Sequence, residues 1–176
     1  MKETPRPSDE PIMTPWLLTR YCLTGLYVGI ATVGVFVDHY ISQGISLSKL
    51  RSWGKCGGDC KELFTGEGRK LPQTLALTTL VCMEMLKALS AVSVDNSLLI
   101  MGPHKNPLLI AGVAFPMLLH LLVVYSSNLG LSGLGESFGI VALSKQNWIS
   151  ILKWSAPILI VEEILKGIGR KMNKKK

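Results

Sequence analysis

The spacing of the charges constrains this chain more than any other feature. No Asp, Glu, Lys or Arg occurs from Tyr21 to Val37, from Leu71 to Met83, or across the 30 residues from Asn106 to Gly135. A helix needs about 20 mostly apolar residues to cross a hydrocarbon core about 30 Å thick. The chain has 176 residues, of which 18% are charged, and a mean hydropathy of +0.34. That balance excludes disorder and is high for a water-soluble domain of this length. The expectation is an all-α integral membrane protein with the lipid bilayer as its first partner.

Four transmembrane helices are predicted, over 19–41, 72–94, 106–128 and 147–166. The first carries Gly25 and Gly29, followed by Gly34. Glycines four apart leave a flat strip where another helix backbone can approach. The second is predicted to start at Pro72, because proline is tolerated in a first helical turn. Pro116 should bend the third helix, which lipid tolerates where neighbours satisfy the freed carbonyl, and the fourth contains Pro157. Trp148, at the head of the fourth, suits an interfacial anchor. The first 15 residues hold four prolines and no apolar core, so no secretory signal is expected there.

An even number of spans puts both ends on one side. That side collects 10 Lys/Arg, Arg20 and Lys166 included, against 7 in the loops 42–71 and 129–146. The count favours cytosolic ends, giving a segment 1–18, a loop 95–105 and a basic tail 167–176 in the cytosol, with the other two loops in the lumen. The net charge of +7 sits partly in that tail, where it reads as contact with anionic headgroups and not as a nucleic-acid arm. Cys56 and Cys60 fall in the 42–71 loop, where an oxidising lumen would let them pair; free thiols are the alternative. Cys22 and Cys82 read as buried apolar residues.

Glu84 is the candidate metal ligand. It lies 12 residues beyond Pro72, about 18 Å along a helix at 1.5 Å per residue. Carboxylates at such depth usually mark ion pathways, and oxygen suits a hard cation such as calcium. Lys87, three residues on, offers the competing reading of a structural ion pair. His120 reads as a hydrogen-bonded core residue, Lys153 as a snorkelling one, and Glu162 with Lys166 as a solvated i,i+4 pair. No P-loop, zinc cluster or nucleophile–base arrangement is recognisable, so no catalytic residue is assigned.

The run Pro5-Arg6-Pro7-Ser8-Asp9-Glu10-Pro11, with Trp16-Leu17, Arg20-Tyr21 and the Gly25–Gly34 stretch, resembles the entry and seventh helix of sarco/endoplasmic-reticulum-type calcium pumps, the class IIA P-type ATPases. Leu80 to Met85, Ala88-Leu89-Ser90 and Asp95 to Leu99 are similar to their eighth helix and its exit. Asn106-Pro107-Leu108-Leu109 with Leu119-His120 and Tyr125 resembles the ninth. Leu143-Ser144, Trp148, Lys153, Pro157 and Glu163 to Lys166 resemble the tenth.

The resemblance implies a C-terminal membrane fragment of an ATP-driven pump in the endoplasmic reticulum or a related endomembrane. Met1-Lys2 would then be an internal start within a longer gene. The phosphorylation and ATP sites would lie on the absent part, so this chain should be inactive alone. It also implies that Glu84 is the eighth-helix glutamate that gives one oxygen to transported calcium. Gly25 and Gly29 would pack on a missing helix, and Cys56 and Cys60 loosely match a lumenal cysteine pair. Lys87 departs from the pattern, which has asparagine there. Implied partners are the missing N-terminal helices and cytosolic domains. The alternative is a freestanding four-helix membrane protein that docks on a pump through the Gly25/Gly29 strip, without catalysis.

Overall fold

A computed structural model describes residues 13–52, 54, 64–91 and 106–173, and those residues contain helices and no strand. α1 spans Pro15–Ser42, α2 Leu47–Arg51, α3 Glu67–Ser90 and α4 Pro107–Val124. A short 3₁₀ turn, Ser126–Leu129, leads to α5 at Ser132–Phe138, and α6 (Lys145–Ser155) and α7 (Pro157–Asn173) complete the chain. α1 and α4 are each long and apolar enough to cross a membrane. α3 misses that standard through its charges, and the last crossing misses it because it is split in two.

Local chemistry sets the ends. Thr14 caps α1, its Oγ1 accepting from Leu17 N at 3.3 Å ahead of a proline in the first turn. Asn106 and Ser144 cap α4 and α6 in the same way. α3 begins at Glu67, five residues before its expected start, because Gly66 turns the chain with φ +59°, a region that favours glycine. Pro72 therefore lies inside the helix. The fourth span is two helices because Pro157 lacks the N–H that would continue α6. At that break the Tyr27 hydroxyl donates to the Trp154 carbonyl at 2.9 Å.

The burial pattern is inverted relative to a protein in water. On α7, Glu162 and Lys166 face inward with Ile158 and Leu165, while Ile160, Ile164 and Ile168 face out at four-residue spacing. On α1 the inner face runs Arg20, Thr24, Val28, Ala31, Val35, and Leu18, Leu26, Ile30 and Val33 are exposed. α3 buries Thr74, Thr78 and Thr79. Lipid tails are as apolar as leucine, so in a bilayer polar and small side chains hold helices together and apolar ones face outward. Helices α1, α3, α4 and the α6–α7 pair form the four-helix bundle on this principle, with α3 against all the others.

Candidate functional site

Glu84 lies halfway along the bundle. Its neighbour Met83, fully buried, packs with Val28, Ala31 and Ile158. Val28 is 13 residues from the start of α1 and 14 from its end, about 20 Å from either at 1.5 Å per residue. The Glu84 side chain points off the bundle, 48% exposed, on the α3 face that also shows Gln73, Leu77 and Ala91. Lys87 Nζ stands 3.2 Å from Oε1 and 3.5 Å from Oε2 of Glu84. The two readings of the sequence therefore coincide in space: a carboxylate level with the middle of α1, and an ammonium beside it.

Among the described residues, no three His, Cys, Asp or Glu come together as a metal cage. Calcium takes six to eight oxygens, so Glu84 can be one ligand of a site whose other oxygens come from outside these residues. His120 does not join it. Its Nε2 lies 3.0 Å from Thr78 Oγ1, which is fully buried where α3 meets α4. Glu84, Lys87 and His120 thus line no common path.

The glycines divide. A side chain at Gly25 or Gly29 would meet no atom within 4 Å, so that strip is open. At Gly34 a Cβ would come to 2.6 Å from the Trp154 ring, which is pinned by an Nε1 hydrogen bond of 3.4 Å to Asp38. Gly34 packs within the bundle itself, as does Gly169 of α7, where a Cβ would come to 2.7 Å from Trp16 Nε1. Cys22 is exposed and Cys82 buried, so only the second fits the expectation for both. Cys56 and Cys60 lie outside the described residues. Lys153 is exposed on α6. Trp148 is half-buried and donates to the Tyr125 hydroxyl at 2.7 Å, which donates to the Leu143 carbonyl.

The largest correction concerns Glu162 and Lys166, which are not solvated. Arg20 Nη2 donates to Glu162 Oε2 at 2.5 Å, with side chains only 10% and 8% exposed. Lys166, wholly buried, donates to the Ser90 carbonyl at 2.7 Å and lies 3.5 Å from Glu163. The ammonium satisfies a carbonyl at the C-terminus of α3, where positive charge is favourable. This clasp joins α1, α3 and α7. It could have been found from the isoleucines at 160, 164 and 168, which mark the outer face of α7 and place Glu162 and Lys166 opposite.

A helical bundle with polar side chains turned inward and apolar ones outward, two of its helices long and apolar enough to cross a bilayer, is the architecture of an integral membrane protein. Residues 1–168 match the family model described as cation transporting ATPase, C-terminus, and the chain belongs to that family. It is similar to the endoplasmic reticulum-type calcium-transporting ATPases 4 and 2 of Arabidopsis thaliana, each 36% identical over 97% of this chain. Calcium-transporting ATPase 3 of the same type and plant is 35% identical over the same share. The chain spans about a fifth of the length of these relatives, 17–19%.

Proposed function

We propose that this chain forms the last four membrane helices of an ATP-driven calcium pump of the endoplasmic reticulum, and that Glu84 supplies one oxygen ligand to the transported ion. α1, α3, α4 and α6–α7 are its scaffold, with both chain ends cytosolic. The observation that carries the reading is the outward aim of Glu84 at mid-depth. Lipid cannot solvate a carboxylate there, so intramembrane acids face protein or a water-filled cavity. The face bearing Glu84 therefore needs a cover. The four-fifths of the relatives' length that this chain lacks supplies one, and helices seated on the open Gly25/Gly29 strip of α1 would adjoin it. Phosphorylation and nucleotide binding belong to that missing part.

Calcium uptake into native membrane vesicles tests the proposal. Glu84→Gln should remove most of the calcium-dependent uptake while leaving the protein level unchanged. Uptake equal to wild type would sink the ligand role. A second reading, a separate four-helix protein that docks on a pump through Gly25 and Gly29, rests on the same open strip. An antibody against the 167–176 tail separates the two. A pump gives a band on the order of 100 kDa, because this 19.2 kDa chain matches 19% of such a relative. A separate protein gives one near 19.2 kDa.

A further inference from the structure

The Glu84 carboxylate is already partnered. Lys87 Nζ sits within 3.5 Å of both its oxygens, in the position a cation bound through both oxygens would take. Calcium approaches carboxylate oxygens to 2.3–2.6 Å, so metal and ammonium cannot both hold that pair of oxygens. Lys87 also has somewhere to go. It lies three residues before Ser90, the last residue of α3, and its flexible four-carbon stem can carry the ammonium toward that end and the membrane edge. Its side chain is 27% exposed, so part of it stays open to the surroundings.

We infer that the Lys87 ammonium is a resident counter-cation of Glu84, with which a metal ion must compete for the carboxylate oxygens. The inference rests on the proposed ligand role of Glu84 and adds a determinant of affinity. In the empty site Lys87 neutralises the carboxylate and makes the pair tolerable at mid-membrane depth. On metal binding the ammonium swings toward the α3 terminus. Calcium must then compete with a tethered charge, and the site has a lower affinity than the same carboxylate without it. Lys87 acts here through Glu84 and touches no cargo, so it is a positioning residue.

Equilibrium binding of radioactive calcium alone to native membrane vesicles tests this, using the full-length gene product and its Lys87 and Glu84 variants. Lys87→Gln should tighten binding on the order of tenfold, the scale of a unit charge a few ångströms away at a partly exposed site. Lys87→Arg should weaken it several-fold, because a guanidinium holds a carboxylate through two parallel hydrogen bonds. Opposite shifts from the two substitutions are a result that a merely structural role does not produce. If Lys87→Gln fails to accumulate, Lys87→Arg decides alone, and affinity equal to wild type overturns the inference. Unchanged affinity in both variants, with binding lost in Glu84→Gln, overturns the counter-cation and leaves the ligand role standing. Unchanged binding in Glu84→Gln overturns both.

Discussion

Two of the charge groups on the helices of this bundle are handled in opposite ways. Arg20, Glu162 and Lys166 turn inward from α1 and α7, lose nearly all contact with the surroundings, and find partners on other helices. Glu84 and Lys87 come from one helix and, among the described residues, pair with each other, Glu84 on the exposed face and Lys87 partly covered. The clasp ties three helices of the described chain to one another. The pair at mid-depth is neutral but only partly covered, and lipid is a poor neighbour for it. A charge closed inside the fold is structure. On the proposed function, the charge left open is the one that serves an ion.

Substitutions can break this contrast, and the largest effect should fall on the clasp. Glu162→Ala leaves a buried guanidinium without its carboxylate, so we expect a loss of about 3–5 kcal/mol in detergent or bilayer unfolding assays. Replacing Arg20 and Glu162 together by methionine should recover most of it, since removing both charges spares the desolvation penalty. Lys166→Met strands the Ser90 carbonyl and should cost about 1–3 kcal/mol in the same assay. Gly34→Ala drives a methyl into the Trp154 ring and should cost about 1–3 kcal/mol. The same change at Gly25 should leave the isolated chain unaffected, because no atom lies within 4 Å. Thr78→Val removes the His120 contact at a cost of about 0.5–1.5 kcal/mol, in the range of interhelical hydrogen bonds in membranes.

Fold class was legible because it follows from length and charge spacing, which bilayer thickness reads directly. Helices lie over each of the four predicted segments, and two of them, α1 and α4, are long and apolar enough to cross a membrane. Their ends were less legible. Pro72 looked like a start because proline is allowed in a first turn, but the turn was set by the positive φ of Gly66 six residues earlier. The last crossing read as one helix over 147–166, because sequence alone does not separate a proline that bends from one that breaks. It extends to Asn173 because Arg170 and Lys171 favour a helix C-terminus.

The site was legible in part. Glu84 and Lys87 stand three apart, and helical geometry alone puts them in contact. The clasp was missed because Glu162 and Lys166, four apart near a chain end, look like an ordinary surface pair in water. Their burial depends on Arg20, 142 residues away, and on lipid inverting which face turns inward. Gly25 and Gly29 were identified as a strip for helix approach, but of the α1 glycines it is Gly34 that packs within this chain.

The claim that closed charges hold the fold while the open pair serves an ion is tested most directly by one paired measurement. Glu84→Gln and Glu162→Gln would be compared in native membranes for thermal unfolding midpoint, each with and without calcium. The account predicts that Glu162→Gln lowers the midpoint but keeps the stabilisation that calcium confers. Glu84→Gln should lower the midpoint less than Glu162→Gln does, because the freed Lys87 ammonium can reach toward the α3 terminus, and should lose the calcium response. Equal destabilisation by both substitutions, with the calcium response intact in Glu84→Gln, would contradict it.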